Sequence, residues 1–163
     1  MKILSMKTTI FLGAMLSLLV CLMFTGCSNS ETNSTSRGLT DFAHIEEEYL
    51  ATIDSLNWPD GIALPDKLED EDTGASFQVG YGETRASYLW EYSWMKEWLD
   101  TYNTDSERAE KALEELEKAF DMPYMGIDRC DDATRNYLRE NIDKAKLGDP
   151  SGFTESIRAN YAN

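Results

Sequence analysis

The stretch from Glu83 to Tyr102 constrains the fold most, because aromatic and apolar side chains occur at nearly every turn of it. With a helical period, its tryptophans form one stripe and its tyrosines, together with Met95 and Leu99, form a second. These aromatic residues are Trp90, Trp94 and Trp98, and Tyr88, Tyr92 and Tyr102. A helix that is apolar over most of its circumference is buried between neighbouring elements. The stretch is therefore predicted to be the central helix of a helical domain.

A strand is the alternative for this stretch, since Tyr88, Trp90, Tyr92 and Trp94 also alternate as strand residues do. Its length exceeds that of an ordinary strand. Its non-aromatic positions also include good helix formers. Both properties favour the helix.

A second helix is predicted to precede the aromatic one, with Thr40 or Asp41 as its N-terminal cap. Its apolar side chains recur at steps of three and four residues and so share one face. They are Phe42, Ile45, Tyr49, Ile53 and Leu56. Pro59 and the Asp-Gly pair after it end this helix. His44 falls on its solvated face.

Three more helices are predicted after the aromatic one, each from a start signal followed by an apolar face. The first begins at a capping box over residues 104–107 and ends at Pro123. The next begins at Asp131 or Asp132 and stops at Gly148, and the Asp-Pro pair at 149–150 begins the last. The expected inward residues are Ala109, Ala112, Leu113, Leu116 and Phe120, then Leu138, Ile142 and Ala145, and finally Phe153, Ile157 and Tyr161.

Residues 62–82 lack a clear period, because Pro65, an acidic run over 66–72 and three glycines interrupt them. Residues 77–79 form a short extended piece in this interpretation, and no sheet is predicted. The sequence thus predicts one all-α domain over residues 40–163. Its architecture is a small bundle of four or five helices with an irregular segment around 62–82.

The N-terminus carries a different signal. Lys2 and Lys7 precede an apolar run of 15 residues, 10–24, which ends in Phe24-Thr25-Gly26-Cys27. This order resembles the precursors of bacterial lipoproteins, whose signal ends in an apolar residue, a small residue, Gly or Ala, and Cys. Phe24 departs from that pattern by standing where Leu is commonest. The resemblance implies cleavage between Gly26 and Cys27 and a diacylglyceryl group on the Cys27 thiol.

Two other interpretations of this segment are weaker. An ordinary signal peptide needs a small residue three positions before the cut, and Phe24 is bulky. A retained membrane helix needs roughly 20 apolar residues, more than this run provides. The favoured organisation is a signal peptide over 1–26, a lipidated Cys27 with a flexible tether over 27–39, and the acidic helical domain. The protein is then expected on the extracytoplasmic face of a bacterial membrane, held by its lipid.

The net charge of the mature chain restricts the kinds of molecule that it can bind. Loss of residues 1–26 leaves 13 basic residues against 30 acidic ones, a net charge of −17. Such a charge repels phosphate groups, so no nucleic-acid partner is expected. Cationic partners and metal ions stay open, although an acidic surface often serves solubility alone.

Few residue types with catalytic or metal-binding chemistry are present. One histidine, His44, disfavours a Ser-His-Asp arrangement and, with Cys130 as the one unmodified thiol, excludes a structural zinc site. The residues from Asp70 onward fail the EF-hand pattern, which leaves irregular calcium binding by residues 69–72 as a minor alternative. Acidic neighbours are expected to raise the pKa of Cys130 and make it unreactive. No cofactor or metal is expected, nor is enzymatic activity.

The aromatic stretch is the one feature that favours ligand binding. Its candidate binding residues are Trp90, Trp94, Trp98, Tyr88 and Tyr92, which could stack on sugar rings or on a peptide. The same spacing is more typical of a core. The leading hypothesis is a non-enzymatic interaction module that contacts an envelope protein or a cell-wall component. The alternative is a small-ligand or ion receptor that uses the aromatic cluster or the acidic run.

Overall fold

The computed structural model describes residues 38–69 and 71–161. Five α-helices make up most of this part, so the predicted all-α fold is confirmed. They are α1 (Phe42–Ser55), α2 (Tyr81–Thr101), α3 (Ser106–Glu117), α4 (Asp132–Lys146) and α5 (Ser151–Asn160). Two short 3-10 helices, Lys118–Asp121 and Pro123–Met125, connect α3 to α4. None of the helices in the described ranges is both long and apolar enough to span a membrane.

Helix α2 is the centre of the bundle and packs against α1, α3 and α5. Its three tryptophans are buried, with exposed fractions of 1–2%. The indole N–H groups of Trp90 and Trp94 both donate to the carbonyl oxygen of Asn57, at 2.8 and 3.2 Å. Both indoles therefore hold the segment that follows α1 in place through hydrogen bonds to Asn57. The helical interpretation of this stretch is confirmed, and its strand alternative is wrong.

Helices α1 and α2 cross closely at Gly82. A Cβ atom at Gly82 would overlap the carbonyl oxygen of Ile45, so glycine is required for this approach. The Glu48 carboxylate of α1 accepts hydrogen bonds from the backbone amides of Gly80, at 2.8 Å, and Gly82, at 3.2 Å. Glu48 thereby caps the N-terminus of α2, where a negative charge is also favoured by the helix dipole.

A two-stranded sheet was not predicted and is present. Strand β1 (Leu39–Thr40) pairs antiparallel with β2 (Phe77–Gln78), with Leu39 opposite Gln78 and Thr40 opposite Phe77. Strands of two residues are too short to show an alternating pattern. Their pairing also joins segments on either side of α1, so local sequence does not specify it.

Three helices begin at aspartates, and two of these caps, Asp41 and Asp131, are among those that the sequence predicts. The carboxylates of Asp41, Asp105 and Asp131 each accept from a backbone amide three residues later, at 2.7–3.2 Å. Asp105 is the cap of α3, one residue beyond the Thr104 that the capping box favours. Gly148, with φ of +80°, ends α4 where predicted.

The predicted inward faces are confirmed at most positions. The predicted inward residues that are partly rather than fully buried are Phe42, Leu56, Leu113, Phe120, Ile157 and Tyr161. Helices α4 and α5 approach closely at Gly152, where a Cβ atom would meet the side chain of Asn141. The buried Nδ2 of Asn141 has no hydrogen-bond partner among the described residues.

Candidate functional site

A cavity of about 330 Å³ lies between α2, α4, α5 and the second 3-10 helix. We call it the Glu91 cavity. Its main walls are Tyr88 and Glu91 of α2, Met125 of the 3-10 helix, Tyr137 and Leu138 of α4, and Tyr161 after α5. Its volume is within the range of small-molecule sites. The cavity therefore combines aromatic walls with one buried carboxyl group.

Glu91 is the unusual residue of this cavity, because it is a carboxylic acid and yet only 8% of the residue is exposed. Its Oε2 accepts a 2.8 Å hydrogen bond from the hydroxyl of Tyr124. Its Oε1 accepts no hydrogen bond within the part of the chain that the structure describes. Burial raises the pKa of Glu91 to about 7, although the bond from Tyr124 acts in the opposite direction. Glu91 can therefore change its charge near neutral pH.

The tyrosines around Glu91 are held by contacts with one another. The rings of Tyr88 and Tyr124 meet edge to face, with centroids 5.7 Å apart. Tyr161 packs on Tyr92 at 4.8 Å, and its hydroxyl donates to the Tyr88 carbonyl oxygen at 3.2 Å. Burial raises the pKa values of Tyr88, Tyr124 and Tyr161, so their hydroxyls stay neutral when Glu91 titrates.

The polar lining of the cavity is otherwise neutral. Thr134, Ser156 and Asn160 complete the wall, and Glu91 is the one charged side chain among the described lining residues. An ionised Glu91 would attract a positive group or a hydrogen-bond donor, whereas a carboxylate ligand would be repelled. An ionised Glu91 would therefore favour a positive ligand over a negative one.

A larger cavity, of about 530 Å³, shares Tyr88, Asn160 and Tyr161 with the Glu91 cavity. Its charged lining residues already have partners of opposite charge. Lys67 pairs with Glu69 at 2.8 Å, and Arg85 pairs with Glu71 at 2.5 Å. The Glu91 carboxyl has no such ionic partner among the residues that the structure describes, so we take the smaller cavity as the candidate site.

The residues proposed from sequence for ligand binding occupy two environments. Trp90, Trp94 and Trp98 lie in the core. Tyr88, 42% exposed, lines the Glu91 cavity, and Tyr92 supports its wall by packing on Tyr161. The aromatic stretch thus reaches the candidate site through its tyrosine stripe.

Sequence reasoning missed Glu91. A signal was available, because the narrow polar strip of this helix runs through Arg85 and Lys96, and Glu91 lies off it. Its helical neighbours four residues away are Ser87 and Met95, both buried. An acidic residue between buried neighbours on a helix is costly to bury, so it indicates a hydrogen-bond partner or a shifted pKa.

Two predicted features concern metal ions and the lipid anchor. The described part of the chain contains no group of three His, Cys, Asp or Glu side chains that could hold a metal ion. Asp70 of the acidic run lies outside the described residues. Gly26 and Cys27 also lie outside them, so the lipidation site stays a prediction.

Cys130 shows the raised pKa that the sequence predicts, but the main cause differs. Burial has the largest effect, Asp131 adds to it, and Arg135 acts in the opposite direction. The sequence attributes the shift to acidic neighbours alone. The thiol lies 3.5 Å from the Met125 sulfur, at the edge of the candidate site.

Comparison of the chain with protein-family models, with characterised proteins and with solved structures gives no match.

Proposed function

We propose that the protein is a lipid-anchored receptor on the outer face of a bacterial membrane, which binds a small ligand in the Glu91 cavity. Two features support this proposal. The Phe24–Cys27 motif supports the location. The predicted tether, shortened at its C-terminal end because Leu39 belongs to β1, would let the domain clear the lipid headgroups. The cavity supports ligand binding.

The observation that carries the receptor proposal is the half-satisfied carboxyl of Glu91. Desolvation of the Glu91 carboxyl destabilises its charged form, and Oε1 is open to the cavity because it is not among the fully buried atoms that lack a partner. Side chains of this kind, with a shifted pKa and facing a cavity, cluster at functional sites. A ligand that donates to Oε1 would complete the hydrogen bonding of Glu91.

Binding fits the cavity better than catalysis does. A glycosidase mechanism uses two carboxyl groups, and Glu91 is the one carboxyl among the described lining residues. The hydroxyl of Tyr124, which contacts Glu91, stays protonated because its pKa is raised. It is thus a poor nucleophile. We therefore propose a receptor rather than an enzyme.

The receptor proposal is tested by ligand-observed NMR on the full-length chain in detergent micelles. The panel contains small amines, sugars, cell-wall fragments and neutral aromatic compounds. Tyr88→Leu removes a cavity wall, and Tyr102→Leu is the matched control because Tyr102 stacks on Trp98 away from this cavity. We expect at least one compound class to bind the wild type and the control but not the Tyr88→Leu variant. Binding that is never sensitive to Tyr88 would contradict the proposal.

An interaction module for an envelope protein or a cell-wall component, the leading hypothesis from sequence, stays a prediction. Cross-linking in living cells followed by mass spectrometry tests it. A protein partner recovered repeatedly, together with no ligand in the NMR panel, would favour that role over the receptor.

A further inference from the structure

We infer that the Glu91 cavity binds a small organic cation, an alkylammonium ion whose charge is held by the Glu91 carboxylate among tyrosine rings. This inference rests on the proposed receptor function and specifies its ligand class. The argument uses the charge, the wall chemistry and the size of the cavity.

The positive charge of the proposed ligand is inferred from the residues that line the Glu91 cavity. Among the described residues, Glu91 is the one charged side chain of the lining, and none of them donates a hydrogen bond to its Oε1. A cation placed beside it would gain a favourable interaction in an environment that is screened less than bulk water. The overall net charge of −15 also raises the local concentration of cations.

The walls favour an alkylated cation over a metal ion. Tyr88, Tyr137 and Tyr161 line the cavity, and aromatic rings attract organic cations through their faces. Met125 and Leu138 supply apolar surface for methyl or methylene groups. A hard metal ion would instead need several oxygen ligands, and Glu91 supplies the one carboxylate among the described lining residues. The combination of rings and one carboxylate fits an ammonium ion with carbon substituents.

The size of the cavity restricts the ligand further. A volume of about 330 Å³ is at the lower end of small-molecule sites. It suits a compact ion such as tetramethylammonium or choline. Thr134, Ser156 and Asn160 offer neutral hydrogen-bonding groups to a hydroxyl on the same ligand.

The affinity should depend on pH through Glu91. The titratable groups that face it on other elements are Tyr124, Tyr137, Cys130 and Tyr161, with Tyr88 on its own helix. Burial raises the pKa of Tyr88, Tyr124, Cys130 and Tyr161. The nearby charged group of α4, Arg135, is paired with Asp132 at 2.5 Å. Because the pKa of Glu91 is about 7, its ionised fraction falls about tenfold from pH 8 to pH 6. Cation affinity should fall by a similar factor.

The test is isothermal titration calorimetry of the full-length chain in detergent micelles at physiological salt. The probes are choline, tetramethylammonium and the neutral carbon isostere of choline, in which a quaternary carbon replaces the nitrogen. Glu91→Gln keeps the shape and can still accept the bond from Tyr124. Glu155→Gln removes the same charge from an exposed position of α5 and is the matched control.

We expect choline to bind wild type and Glu155→Gln alike at about pH 8, at least tenfold more tightly than its neutral isostere. Glu91→Gln should abolish this preference, and binding to wild type should weaken about tenfold at pH 6. Tyr88→Leu, which removes a cavity wall at a position that is 42% exposed, should also weaken cation binding.

Equal binding of choline and its isostere, or unchanged binding to Glu91→Gln, would overturn the cation assignment. If the isostere still depends on Tyr88, the receptor proposal survives while the ligand class fails. If neither the probes nor the NMR panel bind in a Tyr88-dependent way, both proposals fail.

Discussion

The hydroxyl of Tyr124 donates a 2.8 Å hydrogen bond to Oε2 of Glu91, and both side chains are buried. Tyr124 belongs to a short 3-10 helix and Glu91 to the central helix, so this bond joins two separate elements of the bundle. A hydrogen bond to the ionised carboxyl favours the charged form. Tyr124 therefore limits how far burial can raise the pKa of Glu91.

Removal of the Tyr124 hydroxyl should raise the pKa of Glu91 further. In Tyr124→Phe the carboxyl loses its one described hydrogen bond while the ring keeps its packing. We expect the pKa of Glu91 to rise above its value of about 7 and the domain to lose about 1–3 kcal/mol of stability. Carbon-13 NMR titration of the carboxyl and urea unfolding measure the two effects. Tyr102→Phe is the control, and an unchanged pKa in Tyr124→Phe would contradict this role.

Glu91 should make the domain less stable as pH rises. Its pKa is about 7 when folded and near 4.5 in its ordinary state, so the folded protein holds this proton more tightly. The resulting stabilisation is present below about pH 4.5 and is lost as pH rises through 7, by about 3 kcal/mol in total.

Urea unfolding of wild type and Glu91→Gln from pH 5 to pH 8 isolates this contribution. Between pH 5 and pH 8 the stability difference between the two proteins should shift by roughly 2.5 kcal/mol in favour of Glu91→Gln, because part of the stabilisation is already lost at pH 5. Glu155→Gln corrects for the change in net charge. Parallel pH profiles for wild type and Glu91→Gln would show that Glu91 does not titrate in this range.

Gly82→Ala should destabilise the α1–α2 crossing. The added methyl group would overlap the Ile45 carbonyl oxygen, which belongs to the backbone of α1 and cannot rotate away. We expect a loss of about 3 kcal/mol in urea unfolding. Gly74→Ala is the control, since a Cβ atom there would be 3.4 Å from the nearest side-chain atom. Equal stability of the two variants would mean that the helices do not approach this closely.

Cys27→Ala should release the protein from lipid. The chain expressed in a bacterium should partition into the detergent phase when it carries Cys27 and into the aqueous phase when it does not, because acyl chains provide the membrane affinity. Cys130→Ala, which removes a thiol of the folded domain, should still partition into detergent. Retention of Cys27→Ala in the detergent phase after signal processing would rule out lipid anchoring at this residue.

The fold could be predicted from sequence where the determinants are local. Helical periodicity identified the buried faces of α1 to α5, and aspartates such as Asp41 and Asp131 marked helix starts, because a cap and the amide it satisfies are three residues apart. The β1–β2 pairing was missed since its two halves lie on opposite sides of α1.

The candidate site could be predicted only in part. Tyr88 was proposed from the aromatic stretch. The environment of Glu91, however, is formed by Tyr124, Tyr137 and Tyr161, which come from three other parts of the chain. The pKa of a carboxyl follows from its desolvation and its neighbours in space. Neither is a property of residues close in sequence, so the cavity needed coordinates.

Strand β1 begins at Leu39, where the predicted tether ends, and the Gly38 carbonyl oxygen accepts from the Val79 amide at 3.0 Å. In a chain held at Cys27, any mechanical pull would reach this small ladder before it reached α1. Such short ladders hold few hydrogen bonds, so they can part under load and re-form while the helices keep their packing. In the proposed lipid-anchored receptor, the β1–β2 pair would be the first folded element between the anchor and the helices.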